Sequence, residues 1–157
     1  MRLTSKTDID ATPEALFAAM TDLDWIEGLA RRGGVRLERL SGAGPMGRGS
    51  SWQAVFRLRG KDRTVVSRIE AHEPPRRLLL SGETVSFSFL VEPTLIPLSR
   101  QVTRLALSVE IKPLTFGARV MIQTLKIGKS RLQQRLDRRL ETAGRMLKER
   151  ASRAGRA

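Results

Sequence analysis

The feature that most constrains this chain is a change of period along it. After one short alternating segment, Arg2 to Ile9, apolar residues recur at helical spacing as far as Leu29. From Val35 to Lys112 they alternate, and from about Thr115 helical spacing returns and holds to Ser152. Alternation puts successive side chains on opposite faces of a strand, whereas steps of three and four put them on one stripe of a helix. Each pattern leaves one apolar face that must be covered, and the economical solution lays the helical stripe against a face of the sheet. The order therefore predicts an α+β architecture: a curved antiparallel sheet of about seven strands around a long C-terminal helix, with two short helices after the first strand. A chain of 157 residues supports one core, and no linker or internal repeat divides it, so residues 1–157 are expected to form a single domain.

Local signals place the elements. Leu3, Ser5, Thr7 and Ile9 share one face of the first strand. Thr12 offers a cap to the following helix, Pro13 occupies a first-turn position where a missing N–H costs nothing, and Glu14 suits the positive end of the dipole. A second short helix is expected from Thr21, with Asp24 as capping-box partner and Trp25, Ile26 and Leu29 as its apolar residues, ending at Arg31-Arg32-Gly33-Gly34. Strands are predicted from Val35 to Leu40, through Trp52, Ala54, Phe56 and Leu58, and from Arg63 to Ala71 after a Gly60-Lys61-Asp62 turn. Further strands run from Arg76 to Ser81, through Val85, Phe87, Phe89 and Val91, and through Thr103, Leu105, Leu107, Val109 and Ile111; Pro93 to Ser99 is expected to be a loop. In the final helix Ala118, Met121, Ile122, Leu125, Leu132, Leu136, Leu140, Ala143 and Leu147 form the stripe predicted to cross the aromatic face of the sheet.

Composition narrows the functional classes. No apolar run approaches the roughly 18 residues that span a bilayer. The first residues carry no apolar secretory core, and the chain has no cysteine, which together point to a cytoplasmic setting. One histidine, His72, excludes multi-histidine metal sites, and no metal or cofactor is expected. The net charge of +13 is uneven: from Gly117 onward there are twelve Lys and Arg against three Asp and Glu, ending in a basic tail from about residue 150. Such a helix offers weak contact with an anionic membrane surface. The absence of tyrosine and of a nucleic-acid motif argues against specific nucleic-acid binding.

Several landmarks carry a family resemblance. Ile9-Asp10-Ala11-Thr12-Pro13-Glu14, Trp25 after the second helix start, Gly49-Ser50-Ser51-Trp52 opening a strand, Glu73-Pro74-Pro75-Arg76-Arg77-Leu78 between strands, and a terminal helix after Lys112-Pro113 together resemble the START-like (SRPBCC) superfamily. That superfamily includes birch-pollen-allergen-like and polyketide cyclase/dehydrase-like proteins. The resemblance covers nearly the whole chain and implies a helix-grip fold with a cavity between sheet and helix, used in the family for lipids, sterols or aromatic polyketides. It implies no particular reaction, since fold alone does not fix function.

The candidate chemistry divides accordingly. Trp52, Phe56, Phe87, Phe89, Leu105, Leu107, Met121 and Leu125 are expected to line an apolar ligand pocket, the bland alternative being a filled core. Lys129, like Arg139, flanks the stripe and offers a cation to a ligand head group unless it snorkels outward. Gly42-Ala43-Gly44-Pro45-Met46-Gly47 matches a dinucleotide fingerprint in letters only, because a strand rather than a helix follows it. Gly128-Lys129-Ser130 lacks the earlier glycine of a phosphate loop. His72 is read as a turn residue at a strand end, and Asp8, Asp10, Glu14, Asp22 and Asp24 as caps and strand-edge residues, so no catalytic residue is assigned. The expected function is binding or transport of an apolar, lipid-like or aromatic small molecule. The alternatives are a polyketide cyclase/dehydratase-like enzyme using the same cavity and an interaction protein working through the basic helix, toward either anionic membrane or nucleic acid. Few acids or bases fall on the inner face, which argues for binding over catalysis.

Overall fold

The alternating segment forms the sheet its period predicts. The computed structural model describes residues 1–41 and 44–154. In chain order the elements are β1 (Arg2–Ile9), α1 (Pro13–Met20), α2 (Leu23–Arg32), β2 (Arg36–Arg39), β3 (Ser51–Leu58), β4 (Lys61–Glu73), β5 (Arg77–Glu83), β6 (Phe87–Pro97), β7 (Thr103–Pro113), α3 (Phe116–Ile127) and α4 (Lys129–Ala154). The seven strands make one antiparallel sheet in the order β1-β7-β6-β5-β4-β3-β2. Hairpins join consecutive strands from β2 to β7, and only β1 pairs with a strand distant in sequence, closing the far edge.

Turn chemistry sets the register. Arg59 and Gly60 both adopt positive φ (52° and 76°), so the β3–β4 hairpin closes at Arg59-Gly60 and pairs Leu58 with Lys61, one residue earlier than the sequence suggested. The register shifts at Glu70, which leaves both Ile69 and His72 facing inward. The expected loop at Pro93 is instead strand: β6 runs unbroken to Pro97. Pro93 pairs with Leu107 of β7, while its other side falls where the β5 pairing skips from Leu80–Val91 to Arg77–Thr94. The missing N–H of Pro93 therefore costs no ladder bond.

The helices start where their caps allow. Thr12 Oγ1 accepts from the Ala15 N–H at 3.2 Å. The cap of α2 is Asp22 rather than Thr21, its carboxylate accepting from the Trp25 N–H at 3.3 Å. The expected single C-terminal helix is two. Gly128 ends α3, its N–H donating to Leu125 O at 3.1 Å, and α4 starts at the next residue.

The core sits at one end of the inner face. Ile9, Leu78, Leu95 and Leu105 of the sheet meet Leu16, Phe17 and Ala19 of α1 and Leu140, Leu147 and Ala151 of α4. Thr103 is fully buried beside them and donates its Oγ1–H to Ala11 O at 2.7 Å, tying β7 to the β1–α1 junction. Thus α4 does not cross the aromatic face as expected; it packs on β1 and α1. A buried glycine allows this. A Cβ at Gly144 would lie 3.2 Å from Thr7 Cγ2 and 3.5 Å from Ile9, so only a residue without a side chain lets the helix approach the strand this closely. At the far end of α4, Arg150 donates to Asp22 Oδ2 at 2.5 Å, fastening α4 to the cap of α2.

This packing can be tested at three positions. Replacing Gly144 by Leu should destabilise the fold by about 1–3 kcal/mol in urea unfolding, because the β-branched Thr7 cannot turn away. Gly117→Ala, with nothing within 4 Å of the new methyl, should instead be neutral or stabilising by up to about 1 kcal/mol. The hydrogen bond from Arg150, helped by the Trp25 N–H, holds the Asp22 carboxyl below its ordinary range against the opposing effect of burial. A carboxyl depressed in the folded state stabilises the fold above its unfolded pKa, near 3.9, and that stabilisation fades as pH falls through the lower folded value. Arg150→Gln should therefore lower stability at pH 7, by up to about 1 kcal/mol for a partly exposed pair, and the deficit should shrink toward pH 3 when unfolding is measured at both pH values.

Candidate functional site

Beyond the core, the same face of the sheet continues as a half-buried aromatic strip. Pairing across the strands places Arg39, Trp52, Ser67, Gly82, Phe89 and Ile111 in one row running from β2 to β7. Phe87 pairs with Pro113 one row further out. Leu80, Val91 and Val109 lie one row nearer the core. Phe56 pairs with Arg63 on the same face, near the β3–β4 hairpin. In contrast to the buried core, Phe56, Phe87, Phe89, Val91, Val109 and Ile111 are only half-buried. Phe87 and Phe89 touch with ring centroids 6.4 Å apart. Gly82 contributes room: Ser67, Val65 and Phe89 stand 3.5–3.7 Å from where its side chain would begin. Helix α3 borders this strip at β7, burying Ala118 and Ile122.

The structure brings most of the sequence-predicted lining together and separates the rest. Trp52, Phe56, Phe87, Phe89, Leu105 and Leu107 share the inner face. Leu105, 3% exposed, belongs to the filled core, and Leu107 packs at its border. Leu125 is half-buried on α3. Met121 leaves the buried stripe and is 46% exposed, because α3 turns Ala118 and Ile122 inward instead. Lys129 opens α4 just past the helix break and is exposed, as is Arg139. Of the fingerprint-like segment, Gly42 and Ala43 lie outside the described residues, and β3 follows it as anticipated.

Two features were missed. His72 is not an exposed turn residue: the shift at Glu70 points it inward, half-buried, where its ring meets Phe17 edge-on at 5.3 Å between centroids. Arg39 was not singled out at all. It pairs with Trp52 across β2 and β3, so the two side chains stand side by side on the inner face. Arg39 Nη1 donates to Gly44 O at 2.9 Å, but among the described residues its Nε–H is buried without an acceptor, and so is the indole N–H of Trp52, a residue only 6% exposed. Buried donors left unpaired cost about 1–3 kcal/mol each, so such neighbours mark a place built to meet an acceptor. A recess of about 260 Å³ opens beside Arg39, walled by Thr21, Asp22, Asp24, Pro45 and Met46. Only the alternation of Leu37 and Arg39 in a four-residue strand hinted at this.

No carboxylate occupies the inner face of the strands among the described residues; its ionisable groups are Arg39, Lys61, Arg63 and His72. Nor do three His, Asp or Glu side chains converge on a metal-holding group there. A larger groove, about 740 Å³, lies elsewhere. It runs between α4 (Gln133, Asp137, Glu141) and the β1, β6 and β7 strands and touches only Leu107 of the predicted lining.

No family model matches the sequence, and no curated protein matches it. Solved structures do. Protein TTHA0849 from Thermus thermophilus superposes with a TM-score of 0.68 at 18% identity, over 98% of this chain and 99% of that one. The Zhui aromatase/cyclase from Streptomyces sp. R1128 gives 0.65 at 14% identity, over 100% and 96%. Norcoclaurine synthase from Thalictrum flavum, in complex with dopamine and hydroxybenzaldehyde, gives 0.60 at 11% identity, over 80% and 76%. At these identities the likeness establishes the START-like helix-grip fold that the sequence landmarks suggested.

Proposed function

We propose that this chain binds an apolar or aromatic small molecule carrying a hydrogen-bond acceptor, held in a trough that the aromatic strip of the sheet forms with α3. The observation that carries this reading is the row in which half-buried Phe89 and Ile111 stand in line with Trp52 and Arg39, two residues whose buried N–H donors find no acceptor among the described residues. Apolar walls with a few convergent polar groups are the usual make-up of small-molecule sites. The Nε–H of Arg39 and the indole N–H of Trp52 would take a carbonyl, phenolate or carboxylate oxygen, while Phe56, Phe87 and Phe89 would cover the rings or chain. Two structural neighbours named as an aromatase/cyclase and as a synthase bound to aromatic compounds support an aromatic class of ligand. With no carboxylate on the inner strand face, binding or carriage is favoured over catalysis.

Native mass spectrometry of gently purified protein, followed by extraction, tests the proposal. A reproducible apolar or aromatic adduct is the expected result; a clean apo mass with no uptake of hydrophobic dyes or lipids would point to a filled face and sink it. Mutation refines the test. Trp52→Phe should weaken an acceptor-bearing ligand about three- to tenfold, the worth of one hydrogen bond, and leave its hydrocarbon analogue unaffected. Phe89→Ala should weaken both.

A second reading, a cyclase/dehydratase-like enzyme, gains one specific observation: His72 faces inward two rows from Trp52. Turnover of a polyketide-like substrate that His72→Gln abolishes, with binding retained, would establish it. Unchanged turnover in that variant would remove it.

A further inference from the structure

Helix α3 is apolar on two opposite sides, and only one is used. Ala118, Ile122 and Leu125 turn toward β7 and α4. At about 100° per residue, Phe116, Val120 and Ile127 fall within about 40° of one another on the opposite side. They are 82%, 52% and 89% exposed. The same end of the molecule holds Leu114, 48% exposed, and Val85, 91% exposed at the tip of the β5–β6 hairpin. The Leu114 N–H donates to Ser86 O at 2.8 Å, holding that tip against the start of α3. An exposed apolar stripe of this kind, interrupted on its own side only by Gln123, ordinarily has a partner on a folded domain.

The surrounding charge specifies which. From Ile111 to Leu136 the chain carries Lys112, Arg119, Lys126, Lys129, Arg131 and Arg135 and not one acid. Lys112 pairs with Glu110 at 3.5 Å; among the described residues the other five make no ion pair. A second copy of a chain with net charge +13 would bring like charge to this surface, and a nucleic acid would leave the apolar stripe in water. An anionic bilayer satisfies both halves: acyl chains take the apolar side chains, and lipid phosphates take the cations on the helix flank and beyond the break.

We infer that α3 and the β5–β6 tip form a docking surface for anionic membranes, with Phe116, Val120 and Ile127 inserting at the headgroup–acyl boundary. At about 1.5 Å per residue α3 is roughly 18 Å long, so it lies in the interface plane and does not cross the bilayer. The surface is distinct from the ligand trough, so vesicle binding neither requires a pocket ligand nor reports on one.

The chain has no cysteine, so a single introduced one can carry an environment-sensitive nitrobenzoxadiazole dye. Ile127→Cys bearing this dye should brighten and blue-shift on phosphatidylcholine vesicles containing phosphatidylglycerol, and not on phosphatidylcholine alone. Ser99→Cys, exposed at the opposite end of β6, should report no change. Because insertion is not screened as surface charge is, part of the binding should persist at about 0.15 M salt. In co-sedimentation of the unlabelled protein, replacing Phe116, Val120 and Ile127 together by Ser should lower vesicle affinity at least tenfold while the unfolding midpoint stays unchanged. The inference is overturned if the dye at position 127 is silent, or if the triple variant binds as the parent does. A dimer of the parent that the triple variant abolishes would likewise overturn it, by making a second copy the occupant.

Discussion

The arrangement depends on how closely α4 approaches β1. Helices ordinarily stand off a strand by the length of intervening side chains; here Gly144 removes one, and Thr7 and Ile9 fill the space. With the helix seated at that point, Leu140, Leu147 and Ala151 reach Ile9, Leu105 and Leu95, and Arg150 reaches the α2 cap at Asp22. The helix also covers the edge strand: Gln133 donates to Thr4 O at 2.7 Å, and Ser5 donates to Asp137 at 2.5 Å. An open strand edge is a template for unwanted pairing, and α4 blunts this one.

Anchoring α4 along one edge has a consequence for the rest of the inner face. The apolar residues of the sheet outnumber those that one helix at its margin can cover. The face therefore divides into a sealed end, where α1 and α4 converge, and an aromatic end left half-buried beside α3. The break at Gly128 falls at the same division: α3 before it buries Ala118 and Ile122 beside β7, and α4 after it packs on β1 and α1. The division also explains why residues of similar chemistry part company, Leu105 in the sealed core and Phe89 in the half-buried strip, although both face inward.

Much of the fold was legible because it rests on local patterns. Alternation in Phe87 to Val91 and Thr103 to Ile111 identified strands and their inner faces, though Val85, which continues the first pattern, lies exposed at the hairpin tip; Thr12 and Pro13 marked the start of α1, and the stripe Leu140 to Leu147 identified the buried side of α4. The aromatic members of the candidate site were legible for the same reason, since period two alone puts Trp52 and Phe56, or Phe87 and Phe89, on a shared face. The misreadings came where a distant contact decides. Pro93 looks like a strand breaker until the skipped pairing with β5 removes the demand for its N–H. His72 looks like a turn residue until the shift at Glu70 turns it inward. Met121 lies within about 40° of Leu125 on the apolar side of α3, yet Ala118 and Ile122 take the buried position there.

The sequence by itself determined the classes of element, their order, the side of each strand that is apolar and the concentration of positive charge near the C-terminus, all of which follow from spacing and composition along the chain. Only the tertiary structure decided that β1 pairs with β7, that Gly144 is the point of closest approach, that Arg39 and Trp52 stand side by side with unpaired donors, and that Phe116, Val120 and Ile127 face outward together. The physical reason is the same for each: these are relations between residues far apart in the chain or across a helix break, set by which surfaces compete for burial, and no local periodicity encodes the outcome of that competition.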